Sequence, residues 1–252
     1  MANINHFRNK YRFNWRRAYA EAYGIYVKSW TWLTCGRRFE AEIDPFRLLY
    51  INPADVRFRR TKELKQQFSY GLEIPEVKPG NWDRLTRPFE DNDMYVGFKK
   101  HFLEGVDWEM TEFYQRRVQI IENGGERWGC HTEEEFLKRC SELDRLFEFI
   151  ANKGYLTQAE LRSQYHELPS NRPIHWYRPP CLLEVTVDID RDGEFIFHEG
   201  RNRMCIAKLL EINQIPVRVK GRHEDWQTRR EHFVQGDRTG VDQSHPDLTY
   251  LE

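Results

Sequence analysis

The sequence predicts an α+β fold, and three observations carry that expectation. Apolar and polar residues alternate over 185–189, the period of a strand, a second strand follows over 194–198, and strand character returns over 216–220. Apolar residues recur at three- and four-residue spacing over 94–102, 110–121, 136–150 and 205–212, the period of helices. The 252 residues, 39% hydrophobic and 31% charged, suffice for a sizeable core in one elaborated domain.

Residues 1–40 read as a basic, aromatic N-terminal arm. Residues 1–39 hold eight Lys or Arg against one acid, Glu21, a net +7 that leaves −8 on the remainder. Tyr11, Phe13, Trp15, Tyr19, Tyr23, Tyr26, Trp30 and Trp32 interleave with the basic residues. The combination suits nucleic acid, through phosphate contacts and base stacking, and it suits an amphipathic helix on an anionic membrane. It also suits aromatics packed on the protein's own body with arginines snorkelling to water. Gly36 ends the arm.

The globular domain is expected over 41–235. Leu48 and Tyr50 lead to an Asn52-Pro53 turn, then Val56 and Phe58. Residues 59–80, with Pro75, Pro79 and Gly80, read mostly as loop. Residues 81–128 read as a helical insertion. Asp93 is expected to cap a helix bearing Met94, Tyr95, Phe98 and Phe102. Asp107 is expected to cap a second, with Met110, Phe113, Tyr114, Val118 and Ile121 on one face, and the two make a hairpin. Carboxylates beside aromatics there, Asp83 above all, act as general bases or Mg²⁺ ligands if they converge and as caps or solvated groups if they do not.

Thr132 with Glu135 forms a capping box before the stripe Phe136, Cys140, Leu143, Phe147 and Ile150. Thr157 with Glu160 repeats that pattern before a short helix, and Pro169, Pro173, Pro179 and Pro180 then break the chain. After the core, His223-Glu224-Asp225-Trp226 opens a helix to about Gln235. Residues 236–252 form a polar tail, ordered only against the body.

Chemistry concentrates in residues 184–220. Val185, Val187 and Ile189 alternate with Thr186, Asp188 and Asp190, a strand with one buried face. Asp190-Arg191-Asp192-Gly193 makes a turn, and a second strand follows. After Glu199-Gly200 the period becomes helical. Gly200, Arg201, Asn202 and Arg203 thus occupy a helix N-terminus, whose free N–H groups attract anions, and Arg201 and Arg203 supply paired donors for phosphate oxygens. The bland alternative is a simple Gly200 turn with the arginines solvated or paired to Glu199 and Glu211.

The string FHEGRNRMCIAKLLEINQIPVRV resembles the nucleotide-binding segment of the ParB/sulfiredoxin superfamily, with its Gly-x-x-Arg turn opening a helix and its Ile-Pro-Val strand. Gly200 and Arg203 match the Gly and final Arg, and Ile215-Pro216-Val217 matches the closing strand. FRLLYINPADVRF and LDRLFEFIANKGYL extend the likeness to about a third of the chain. It implies a small mixed sheet with packed helices, here elaborated by the helical insertion, and nucleotide phosphates (ATP or ADP, with CTP a further choice) held at Gly200, Arg201, Asn202 and Arg203, with His198 adjoining. Position 201 departs from the families: it is Arg, where sulfiredoxin has the Cys of sulfinic-acid repair and partition proteins the Glu that helps hold a metal. Glu199 is the substitute metal ligand for Mg²⁺, and free-serine-kinase-like members carry an acidic residue at that place.

The expectation is therefore a Mg²⁺-dependent, kinase-like phosphotransferase on a small molecule, with Glu199, Asp83 and Asp188 as catalytic carboxylates. Two alternatives stand beside it. One is a DNA-associated partition-like protein, a nucleotide-switched binder or nuclease, although only 32 residues follow Lys220. The other is a scaffold that kept the fold and lost the nucleotide. A net charge of −1 argues against a general polyanion binder. The absence of an 18-residue apolar run or a secretory h-region points to the cytoplasm. Five widely spaced cysteines without a C-x-x-C pair, and histidines without H-x-x-x-H, argue against a disulfide framework or a transition-metal site.

Overall fold

The computed structural model describes residues 15–61, 73–164 and 178–251. Among them are eight α-helices and a seven-stranded open mixed sheet. Helix α1 (Trp15–Thr31) runs into a π turn (Trp32–Gly36). Strands β1 (Leu49–Ile51) and β2 (Phe58–Arg60) flank a 3₁₀ turn capped by Asn52. β3 (Glu76–Lys78) lies within the span expected to be loop, and β4 (Thr86–Pro88) within the span expected to be helical; residues 62–72 lie outside the described residues. Both are three-residue strands, too short to show a period.

The hairpin follows as α2 (Asp93–Phe102) and α3 (Glu112–Glu122), but its caps differ from those expected. Asn92 caps α2 by accepting from the Met94 amide, and Thr111 caps α3 by accepting from the Tyr114 amide. Asp93 occupies the first turn of α2, while Asp107 precedes a 3₁₀ turn (Trp108–Met110) without a capping bond. The helices approach closely at Gly97, where an added Cβ would lie 2.4 Å from the Phe113 Cβ. Helix α4 (Glu133–Lys153) has the full Thr132–Glu135 capping box, and Thr157 and Glu160 exchange the same bonds before α5 (Gln158–Gln164). Pro169 and Pro173 lie outside the described residues.

β5 (Val185–Ile189), β6 (Phe195–Glu199), α6 (Arg201–Leu209), β7 (Ile215–His223), α7 (Glu224–Val234) and α8 (Pro246–Thr249) complete the chain. The sheet order is β1-β7-β5-β6-β2-β4, with β3 also on β7. β5 runs parallel to β7, and β2 parallel to β6. Every residue of β5 and β7 is buried, so β5 is not the strand with one wet face that its alternation suggests. Both faces of this central pair are covered, and the alternation separates an apolar side from a polar interior side.

On the apolar side, Val187, Ile189, Phe197, Val217 and Val219 join α2, α3, α4 and α6 in one core containing Phe98, Phe113, Phe136 and Met204. On the other lie Thr186, Asp188, His198, Arg218 and Lys220, met by the 73–78 segment. Glu73 pairs with Arg218 and, at 2.6 Å, with Arg178; Glu76 pairs with Lys220 at 3.0 Å. A register shift between β5 and β7 leaves Lys220 without a partner on β5 and sets Arg222 opposite Ile189.

The polar tail is ordered because Arg222 needs a counter-ion. Asp247, fully buried in α8, accepts from Arg222 Nε (2.9 Å) and Nη2 (2.6 Å) and from Trp226 Nε1 (2.9 Å), with Arg230 Nε at 3.2 Å. His223 and His245 act alike as helix N-caps. Each accepts an amide two residues on through Nδ1 and donates Nε2–H to a glycine carbonyl, Gly80 and Gly193 respectively.

Burial alone would raise the Asp247 pKa, but Arg222 and Arg230 overcome it and hold the carboxyl far below the usual range. A depressed folded value means stabilisation that is present above the unfolded pKa, about 3.9, and lost as pH falls below it. Asp247→Asn is expected to lower stability by about 3–5 kcal/mol at neutral pH, because two buried guanidinium groups lose their countercharge. Urea unfolding from neutral pH down to about pH 3 should also show a shallower acid loss in the variant than in the wild type.

Candidate anion site at the start of helix α6

Strand β6 ends at Glu199 and the chain turns into α6 through Gly200, which has φ +90° and no side chain to cap the helix. A Cβ there would meet Val185 Cα and Cγ2 at 3.0 Å. Only glycine combines the left-handed conformation with that approach to β5. The first-turn amides of α6 consequently face outward without a side-chain cap, the geometry in which a helix N-terminus receives an anion.

Three arginines adjoin this turn. Arg59 on β2 is opposite Phe197 of β6 and opposite Arg87 of β4, so Arg59 and Arg87 are cross-strand neighbours. Arg201 opens α6. Among the described residues no side chain of the three forms a hydrogen bond or ion pair, and the Nε atoms of Arg59 and Arg201 are shielded from water without a partner there. Burial, then the charges of Arg201 and Arg87, lower the Arg59 pKa below its ordinary value. Like charges are thus packed together with donors unused, the electrostatic signature of a place that an anion would relax.

The two arginines expected to act together are separated by the fold. Arg203 turns inward: Nη1 donates to Glu184 at 2.9 Å, and Nη2 donates to the Leu183 carbonyl. Glu184 is itself buried, and burial raises its pKa despite Arg203. Arg203 therefore ties α6 to the entry of β5, and Arg201 with Arg59 and Arg87 supplies the accessible charge. Asn202 lies beside Arg201 in the first turn. Glu199 is exposed; it immediately precedes the Gly200 turn and lies opposite Thr186 of β5, across a register shift between β5 and β6. Asp91, also exposed, is close enough to Arg59 to act on its titration. Asp93 is engaged by Arg117 Nη1 at 2.8 Å.

Asp188 and His198 occupy the other face of the sheet. Asp188, with no exposure, is ion-paired to Arg60 Nε and lies 3.3 Å from His198 Nδ1; Arg60 Nη1 lies 3.3 Å from His198 Nε2. A guanidinium only donates, so Nε2 accepts and Nδ1–H donates to Asp188. Burial opposes ionisation of Asp188, but Arg60 and His198 hold its pKa below the ordinary value. The triad is a closed interior network and does not reach the α6 amides. Asp83 is elsewhere again: it receives Arg191 Nε at 2.6 Å and Nη2 at 2.7 Å, which fastens the β5–β6 turn to the 3₁₀ turn Trp82–Arg84. Of the three expected catalytic carboxylates, only Glu199 adjoins the anion site.

Sequence reasoning missed Arg59 and Arg87. The signal lay in Phe58-Arg59-Arg60, because adjacent residues of a strand must face opposite sides. Among the described residues no three His, Cys, Asp or Glu side chains gather as a metal site, so Glu199 would hold Mg²⁺ only together with phosphate oxygens, the usual manner of that ion. A hollow of about 610 Å³ lies beside the start of β6, away from the Gly200 turn, bordered by Arg57, Glu194, Asn213 and Asp242; no expected site residue lines it. No family model, curated protein or solved structure matches the chain.

Gly200→Ala is expected to cost about 1–3 kcal/mol, from the positive φ and the contact with Val185. Thermal unfolding measures it. An equal loss in Gly193→Ala but none in Gly200→Ala would show that the α6 turn is not held as described.

Proposed function

We propose that the chain is a nucleotide-binding, Mg²⁺-dependent phosphotransferase acting on a small molecule. The observation that carries this reading is the pair of water-shielded, unpartnered Nε atoms of Arg59 and Arg201 beside the uncapped amides of α6. A buried guanidinium N–H without an acceptor is costly, and phosphate oxygens supply acceptors in the matching geometry. The resemblance of the Gly200–Arg203 turn to nucleotide-binding turns supports the same ligand.

Arg59 and Arg201 grip the phosphates, the amides of Arg201 and Asn202 orient them, and Arg87 adds charge from the exposed side. Glu199, exposed and directly before Gly200, is the proposed Mg²⁺ ligand, and Asp91, near enough to act on Arg59, is the next carboxylate. Mg²⁺ when bound neutralises phosphate charge. Positioning and charge neutralisation are the main demands of phosphoryl transfer, and these residues answer them without Asp83, Asp188 or Arg203 in a direct role.

Calorimetric titration with ATP, ADP and CTP, with and without Mg²⁺, tests the reading. Arg201→Ala and Arg59→Ala should each weaken Kd by about ten- to a hundredfold, the worth of a charged hydrogen-bond pair. Arg203→Ala should lower the unfolding midpoint by releasing Glu184. Absence of binding by folded wild type to all three nucleotides removes the proposal and leaves the scaffold alternative.

A further inference from the structure

We propose that the outer face of α1 and its π turn docks on an anionic lipid membrane. The inner stripe of this element, Gly24, Val27, Thr31 and Cys35, is buried against the body. The remainder mixes exposed Glu21, Lys28, Ser29 and Thr34 with large apolar side chains. Ile25 is 68% exposed, Trp32 58%, Leu33 50%, and Tyr26 and Trp30 44% each. Tyr26 and Trp30 are also in ring contact, with centroids 6.4 Å apart, forming a ridge along the helix. Behind them a cleft of about 350 Å³, lined by Phe39, Ile74, Pro75 and Val77, extends the apolar surface inward. An apolar face of this extent on one helix marks an interaction surface.

Charge and side-chain type identify the occupant. Arg16 and Arg17 stand in the first turn of α1, Lys28 near its end, and Arg37 and Arg38 just past the π turn, while Glu21 is the one acid in the helix. Arg38 is partnered by Glu224 at 2.8 Å; Arg37 lies over the Trp32 ring, 5.6 Å from its centroid. Over residues 15–39 five basic residues stand against Glu21, a net +4, which makes the element complementary to a negative surface.

Nucleic acid would use the aromatic rings and the charge, but it gains little from Ile25 and Leu33, which have no π face and are among the most exposed apolar residues here. A bilayer interface covers aliphatic and aromatic side chains alike, with Trp and Tyr at headgroup depth and Lys and Arg on the phosphates. No described helix is long and apolar enough to cross a membrane, so α1 lies on the surface rather than spanning it. This inference is independent of the nucleotide reading.

The test is co-sedimentation of the full chain with vesicles of phosphatidylglycerol mixed with phosphatidylcholine, and with phosphatidylcholine alone. Pelleting with the anionic vesicles only, weakened by salt and accompanied by a blue shift of tryptophan emission, is expected. The double variant Ile25→Ser, Leu33→Ser changes two solvent-exposed side chains, so circular dichroism should match wild type, while vesicle affinity falls by about tenfold or more. Failure to pellet with anionic vesicles, or pelleting unaffected by the double variant, overturns the proposal. So does a wild-type dimer in sedimentation velocity that the variant makes monomeric without lipid binding, or duplex DNA that binds the same face and is not displaced by anionic vesicles.

Discussion

A carboxylate without access to water sits in the middle of the sheet, and much of the architecture follows from keeping it ionised. Asp188 lies on β5, between β7 and β6, and its charge is matched by Arg60 from β2, two strands away, with His198 between them. Removing such a charge from water is costly unless its partner is geometrically fixed and the remaining donors are used. The parallel pairing of β2 with β6 is what delivers Arg60 to Asp188. The same demand recurs along the polar side of the sheet, where Glu73 and Glu76 answer Arg218 and Lys220, and again at the far end, where Asp247 answers Arg222. Charge matching joins parts of the chain far apart in sequence and sets the position of the segment 73–78 and of the C-terminal tail.

The consequence for the anion site is a division of labour among groups that look equivalent. Arg60, Arg203 and Arg222 each have an internal carboxylate, whereas Arg59, Arg87 and Arg201 have none among the described residues. The cluster without carboxylates coincides with Gly200, whose positive φ opens α6. Glu199 is the carboxylate left without an internal duty at that turn, which distinguishes it from Asp83 and Asp188.

How far the sequence could be read depended on the range of the interactions involved. The capping boxes at Thr132 and Thr157, the stripe of α4, the turn before Gly193 and the Gly200 turn are local, and they stand where the pattern put them. Asn92 and Thr111 displaced Asp93 and Asp107 as caps because neighbouring residues share the same capping chemistry and tertiary packing decides which is used. β3 and β4 were invisible because three residues show no period. The buried second face of β5 was hidden because Thr186 and Asp188 are polar, and only distant partners make their burial tolerable. Arg203 looked like the twin of Arg201 until Glu184 could be placed beside it. The clasp on Asp247 depended on a residue 25 positions away whose side of the sheet is set by a register shift.

That β2 presents Arg59 to one side of the sheet and Arg60 to the other has a further implication. The strand is only three residues long, and its alignment with β6 settles at once which guanidinium neutralises the interior and which remains available to a ligand. A slip of a single position would turn Arg60 outward and Arg59 inward, breaking the ion pair between Arg60 and Asp188 as it stands. Folding to the correct alignment and assembling the arginine cluster are therefore one event.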